Sequence, residues 1–167
     1  MAPKNQRWYL TADSVSIEIA ADADTLYSLV SDLPRMGVWS PECVRVEWEG
    51  EGSAPGEGTT FVGFIEVGPG RRIRYQRHGT VLTAEPGRAF SFITDEGGRP
   101  STAWHYTFEP LGEGLTRVTE GYEVRWIPMW ARVIDVPLNR HKELLEGMRT
   151  TLERLKAAAD ASRLGAS

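Results

Sequence analysis

The sequence is poor in cysteine and histidine, which excludes several kinds of site. Of its 167 residues one is cysteine, Cys43, and three are histidine. A single thiol excludes a disulfide within the chain and a zinc site built from several thiolates. Because the sequence has no HExxH motif and no closely spaced Cys/His pair, we expect no metal. A lone cysteine fits a reducing compartment, and we expect a cytoplasmic protein.

Long apolar runs, surplus positive charge and nucleotide-binding loops are also absent. No stretch approaches the ~20 apolar residues of a membrane-spanning helix, and residues 1–13 lack the apolar segment of a signal peptide, so we expect no integral membrane association. The formal net charge is -4, which argues against a nucleic-acid partner. Because the sequence lacks a Walker A loop, a GxGxxG after a strand and a GxSxG elbow, we expect no cofactor.

What the chain does contain is the composition of an ordinary globular protein, with 41% hydrophobic and 25% charged residues. A chain of this length buries roughly two thirds of its unfolded surface on folding. There is no internal repeat, and the glycine-rich stretch 50–58 is too short to separate two domains. We therefore predict a single domain over residues 1–167, with a core at about 14–158 and short tails.

The order of the hydrophobic patterns predicts an α+β fold. Residues 14–20 alternate apolar and polar side chains as a half-buried strand does, Asp22 is placed to cap a short helix, and a second short helix is expected to end near Trp39. Apolar residues from about Leu138 recur at gaps of three and four, which predicts one long amphipathic helix. Between them, Gly and Pro separate six predicted strands, at 44–48, 59–66, 72–84, 89–93, 102–108 and 115–124. A hairpin loop is predicted at 109–114.

Several short motifs in this order resemble a known superfamily. They are Val-Ser-Ile-Glu-Ile-Ala-Ala at 15–21, Asp-Thr-Leu-Tyr-Ser-Leu-Val-Ser-Asp at 24–32, Trp-Ser-Pro at 39–41, Glu-Pro-Gly-Arg at 85–88, Trp-His-Tyr-Thr-Phe-Glu-Pro at 104–110 and Gly-Leu-Thr-Arg-Val-Thr at 114–119. Over residues 14–156 the chain resembles the START-like (SRPBCC) superfamily, in particular its polyketide cyclase/dehydrase and lipid-transport branch. The resemblance implies a helix-grip fold, in which a curved antiparallel sheet of about seven strands wraps a long C-terminal helix.

The same resemblance implies a cavity between sheet and helix that holds a small hydrophobic or aromatic molecule, such as a lipid or a polyketide-like compound. Inward-facing aromatic side chains are the candidates for lining it, and plain core packing is the alternative for each of them. Segment 125–137 is expected to form a bent lid over the cavity near the long helix, with core packing or a contact patch as alternatives. The candidate lining residues are Trp39, Phe61, Tyr75, Phe90, Phe92, Trp104, Tyr106, Tyr122, Trp126, Met129, Trp130 and Met148.

Three polar residues are candidates for orienting a ligand or catalysing a reaction. Strand parity places Glu120 among inward aromatic side chains, where it must be neutral or paired unless a bulge lets it reach water or a structural Arg. Parity also places Arg77 inward, as a partner for Glu120 or for a ligand, although it equally fits a solvated sheet edge. His141 lies on the apolar stripe of the long helix, as a pocket base or as a hydrogen-bonded histidine at the rim.

These residues leave the function open between different classes. The leading hypothesis is a protein that binds a hydrophobic or aromatic molecule, as a monomer or homodimer. The alternative is an enzyme of the cyclase, aromatase or dehydrase type that uses polar cavity residues, although no catalytic motif identifies one. A third hypothesis is a protein-interaction module that uses the apolar side chains of residues 126–130.

Overall fold

Seven antiparallel strands form one sheet in the computed structural model, which describes residues 11–50, 56–135 and 140–165. The strands are β1 (Ala12–Ile19), β2 (Cys43–Glu49), β3 (Thr60–Val67), β4 (Ile73–Glu85), β5 (Ala89–Glu96), β6 (Arg99–Gly112) and β7 (Leu115–Val124). Their order across the sheet is β1-β7-β6-β5-β4-β3-β2. Strands β2 to β7 therefore form a meander, and β1 is the edge strand next to β7. The alternation in residues 14–20 is confirmed as a strand whose apolar side chains face the interior.

The described residues also form helices α1 (Ala23–Ser31), α2 (Met36–Trp39), α3 (Met129–Asp135) and α4 (Arg140–Gly165), with short 3₁₀ turns at Leu33–Arg35 and Pro69–Arg71. The predicted α+β helix-grip architecture is confirmed, because the curved sheet packs on the long C-terminal helix and two short helices follow β1. Asp22 holds the N-cap position of α1, but its side chain makes no capping hydrogen bond there. The predicted helix start at Leu138 lies outside the described residues. None of the helices in the described ranges is both long and apolar enough to cross a membrane.

The hairpin between β6 and β7 is tighter than predicted. The strands continue to Gly112 and resume at Leu115, so the turn contains two residues instead of the six predicted at 109–114. A bulge between Pro110 and Gly112 accommodates the proline, which has no N–H to donate to a ladder. Beyond the bulge the register pairs Tyr106 with Glu120.

The hydrophobic core fills one half of the space between sheet and helices. Leu152, Leu155 and Ala159 of α4 are buried against Leu26 and Val30 of α1 and against the inner face of the sheet. Their spacing of three and four residues places them on one side of α4, as the sequence pattern predicts. The other half, toward the N-terminal end of α4, is incompletely filled and contains the cavity described below.

Two glycines allow close approaches that position this second half. The ring of Phe61 lies directly over Gly79, its cross-strand neighbour, so a Cβ at that position would overlap the ring. Gly37 of α2 lies against the carbonyl group of Val44, and a Cβ there would overlap the backbone of β2. Both positions therefore need a residue without a side chain.

Candidate functional site

A cavity of about 200 Å³ lies between the inner face of the sheet, α2 and the first turns of α4. Its wall is chiefly apolar. The apolar side chains are Leu33, Met36, Val46, Phe61, Ile65, Phe92, Trp104, Val124, Ile127 and Leu144. The polar and small residues are Ser40, Glu42, Cys43, Gly63, Tyr75, Arg77, Thr94, Glu96, Thr102, Tyr106, Glu120, Arg140 and Thr151. A second hollow of about 50 Å³ adjoins it and shares Glu120, Trp104 and Thr151 with it.

The structure divides the predicted lining residues into three groups. Phe61, Tyr75, Phe92, Trp104 and Tyr106 border the cavity, together with Arg77 and Glu120. Met148 is buried and borders the smaller hollow. Trp39, Phe90 and Tyr122 are buried side chains that do not border the cavity. Phe90 packs against Tyr27 of α1, and the hydroxyl group of Tyr122 contacts Thr11 and His141.

The predicted lid requires correction. Ile127 is buried and borders the cavity, and Ala131, four residues later, is also buried. The side chains of Met129 and Trp130 are 77% and 61% exposed, since α3 begins at Met129 and turns them toward solvent. Trp126 does not border the cavity either, and its ring lies 4.5 Å below the guanidinium group of Arg99. The segment thus contributes Ile127 to the wall and not the three residues predicted for that role.

Glu120 is the carboxyl group buried deepest in the cavity wall. It is 4% exposed, and its Oε1 accepts a hydrogen bond of 2.7 Å from the hydroxyl group of Tyr106, its direct cross-strand partner. Its Oε2 is buried and has no hydrogen-bond partner among the described residues. Burial raises the pKa of Glu120 from 4.5 to about 8, although the Tyr106 hydroxyl opposes the rise. Near neutral pH this carboxyl group therefore carries its proton.

Tyr106 contributes the other half of this buried pair. Burial, together with the nearby carboxyl group, raises the pKa of Tyr106 well above its ordinary value. The phenol therefore stays protonated and acts as a hydrogen-bond donor to Glu120. No cation touches the pair among the hydrogen bonds and ion pairs of the described residues.

Arg77 faces the cavity, as strand parity predicts, but it does not pair with Glu120. Its guanidinium group contacts Glu96 at 3.2 Å, donates to the backbone carbonyl of Asp95 at 3.0 Å and lies 5.1 Å from the ring centre of Tyr75. Burial lowers the pKa of Arg77, but the carboxylate of Glu96 more than offsets this effect and the pKa is raised. The suggested partnership with Glu120 is corrected because Arg77 forms its ion pair with Glu96, whereas the register of β6 and β7 pairs Glu120 with Tyr106.

Arg140 is a cavity residue that the sequence interpretation missed. Its two terminal nitrogens donate to the two carboxylate oxygens of Glu42 at 2.7 and 2.6 Å, and one of them also donates to Glu143 at 3.0 Å. Burial opposes the charge, yet the carboxylate of Glu42 raises the pKa of Arg140 further above its ordinary range. Arg140 precedes Leu144 by one helical turn and lies on the side of α4 that faces the sheet. This spacing could have indicated that Arg140 borders the cavity.

His141 lies outside the cavity wall. Its Nδ1 is 2.5 Å from the hydroxyl group of Tyr122, and its Nε2 is 3.4 Å from a carboxylate oxygen of Asp13. It is partly exposed and links the start of α4 to β1 and β7. The structure therefore matches the rim-histidine alternative and not the pocket base. Among the residues described, no group of three or more His, Cys, Asp or Glu side chains could hold a metal ion.

Comparison with known proteins gives a consistent result. Residues 13–160 match the family model described as polyketide cyclase / dehydrase and lipid transport. The polyketide cyclase-like protein of Corynebacterium glutamicum is 30% identical, with 93% of this chain and 84% of that one covered and a TM-score of 0.50. No curated protein matches the sequence.

Two solved structures with lower identity share the fold. A START superfamily protein from Mycobacterium smegmatis has a TM-score of 0.64 at 16% identity, covering 90% of this chain and 97% of its own. The Zhui aromatase/cyclase from Streptomyces sp. R1128 has a TM-score of 0.66 at 14% identity, covering 90% of this chain and 94% of its own.

Proposed function

Because the chain belongs to the polyketide cyclase/dehydrase and lipid transport family, we propose that it binds a small hydrophobic or aromatic molecule in the cavity between its sheet and α4. The observation that carries the proposal is the cavity of about 200 Å³. Protein interiors are close-packed, with few voids larger than a water molecule. A space of this size with an aromatic wall is therefore suited to a ligand.

The cavity volume limits the size of that ligand. An apolar cavity of roughly 150 Å³ is enough to bind benzene. The present cavity is somewhat larger, so we expect it to take a molecule of one or two rings. The rings of Phe61, Phe92 and Trp104 would supply most of the contact area, and the hydrophobic effect would supply most of the affinity.

A second candidate function, catalysis of the cyclase or dehydrase type, is favoured by Glu120. A carboxyl group whose pKa is raised to about 8 can both give and take a proton near neutral pH. It lies in the cavity wall, within reach of a bound molecule. A carrier needs only affinity from this residue, whereas an enzyme needs its proton.

The experiment that tests the binding proposal is a cavity-filling substitution. Gly63 borders the cavity, and its nearest neighbours, 3.7 and 3.8 Å from a Cβ placed there, leave room for a side chain. We expect Gly63→Leu to weaken binding of 2-ethylnaphthalene at least tenfold without loss of thermal stability. The matched control is Gly112→Leu, where nothing lies within 4 Å of the added Cβ. Equal affinity of both variants and the wild type would show that the cavity is not the binding site.

Carrier and enzyme are separated by Glu120→Gln. Native mass spectrometry of the purified protein, with identification of any co-purified molecule, supplies the substrate class. With that molecule in hand, an enzyme loses turnover in Glu120→Gln while it still binds the product. For a carrier the substitution changes affinity alone.

A further inference from the structure

The unpaired oxygen of Glu120 restricts what can lie beside it. Oε1 already accepts the hydrogen bond from Tyr106, and Oε2 is buried without a partner in the described part of the chain. As a carboxylate, this oxygen would need a cation or a donor, and burying an unpaired charge costs several kcal/mol. As a neutral acid, Oε2 carries the proton and becomes a donor that lacks an acceptor.

The other charges of the cavity wall are already matched. Arg77 contacts Glu96, and Arg140 contacts Glu42 through both of its terminal nitrogens. With Glu120 neutral, the positive charges of the two arginines are balanced by the negative charges of Glu42 and Glu96, the other glutamates that border the cavity. An anionic ligand would therefore have to leave water without gaining an unmatched cation, which is unfavourable.

We infer that the cavity selects uncharged molecules that carry a hydrogen-bond-accepting oxygen, and that Glu120 donates its Oε2 proton to that oxygen. The inference rests on the proposed function, because it concerns the ligand of the same cavity. In this arrangement the aromatic wall holds the apolar body of the ligand. Tyr106 acts as a positioning residue, since its hydroxyl group occupies Oε1 and leaves Oε2 as the donor.

Three probes of nearly the same shape separate the contributions of hydrogen bonding and of charge to the binding affinity. 2-Acetylnaphthalene offers a carbonyl oxygen, 2-ethylnaphthalene offers none, and 2-naphthoate carries a negative charge. Their dissociation constants are measured at pH 6.5 for the wild type, for Glu120→Leu and for a control, Glu113→Leu, in the exposed turn between β6 and β7. For each protein we take the ratio of the dissociation constants of the ketone and the hydrocarbon. Comparing this ratio between the wild type and the variants removes the free energy of hydration of each probe, which is the same in every case.

In the wild type we expect the ketone to bind at least tenfold more tightly than the carboxylate. Glu120→Leu is expected to shift the ketone-to-hydrocarbon ratio about tenfold toward the hydrocarbon, because a ketone oxygen buried without a donor loses its hydrogen bond. Glu113→Leu is expected to leave the ratio unchanged. If the ratio is the same in Glu120→Leu and the wild type, or if 2-naphthoate binds as tightly as the ketone, the inference is wrong and the binding function stands. If none of the probes binds the wild type, the proposed function fails as well.

A spectroscopic measurement on the wild-type protein keeps the inference testable should Glu120→Leu fail to fold. The infrared carbonyl band of bound 2-acetylnaphthalene should lie at a lower wavenumber than in hexane, because a hydrogen bond weakens the C=O bond. A band at the hexane position would show that no donor reaches the carbonyl oxygen. That result would overturn the inference.

Discussion

The buried carboxyl group of Glu120 predicts an unusual dependence of stability on pH. Its pKa is about 8 in the folded protein, against an ordinary value of 4.5. Between these two values the folded state holds a proton that the unfolded state has lost. The free energy of unfolding therefore falls as the pH rises through this window, and the stabilisation is fully present only below pH 4.5.

The size of the effect follows from the same two values. At 1.36 kcal/mol per pH unit, the difference between 4.5 and about 8 corresponds to about 5 kcal/mol. This is a large share of the roughly 5–15 kcal/mol that stabilises an ordinary domain. Gln resembles the neutral acid in shape, can accept the hydrogen bond from Tyr106 and does not titrate. The variant Glu120→Gln should therefore lack this contribution to the pH dependence.

Urea unfolding of the wild type and Glu120→Gln, at pH values from 4 to 9, measures the effect. The difference between the two free energies of unfolding removes the contribution of all other titrating groups. We expect the wild type to lose about 5 kcal/mol relative to the variant between pH 4.5 and about 8, and the difference to level off above that. Glu113→Gln, in the exposed turn, should show no such slope. A flat difference for Glu120→Gln, or one that favours the wild type as the pH rises, would refute the reasoning.

Two further substitutions test the packing around the cavity. Gly79→Ala should destabilise the protein by about 1–3 kcal/mol because the added Cβ forces an aromatic ring to move. Gly63→Ala should not, because the atoms nearest to its added Cβ lie at the ordinary contact distances of 3.7 and 3.8 Å. Equal urea midpoints for the two variants would contradict the close approach at Gly79. Arg140→Met should cost about 1–3 kcal/mol in the same assay, since it leaves a partly buried carboxylate without its cation, and an unchanged free energy of unfolding would mean that the pair contributes nothing.

Much of the inner surface of the sheet was predictable from sequence, because the two-residue period of a strand decides which side chains face inward. This rule correctly placed Tyr106, Glu120 and Arg77 on the inner face. It could not say which of them meet, since pairing depends on the register of the hairpin. A loop at 109–114 predicts a different register from a two-residue turn with a bulge, so the contact between Tyr106 and Glu120 required the structure.

The predictions from sequence that failed have related physical causes. Arg140 and Glu42 are separated by 98 residues, and no local sequence pattern predicts an ion pair between them. Met129 and Trp130 were expected inside because they are large and apolar. The buried side chains here are instead Ile127, just before α3, and Ala131 within it, while Met129 and Trp130 face solvent. Hydrophobicity predicts burial on average and leaves such exceptions undecided.

Two unfavourable features of the described interior occur at the same place. A space of about 200 Å³ is far larger than the voids of an ordinary close-packed interior, and the side chains around it forgo the packing contacts that a filled core would give them. Glu120, with an oxygen that has no partner among the described residues, borders that cavity. A sequence selected for stability alone would fill the space from Gly63 and replace the acid by an apolar residue. A ligand with an apolar body and one acceptor oxygen relieves both costs at once, which is why a binding site explains this combination better than a loosely packed core does.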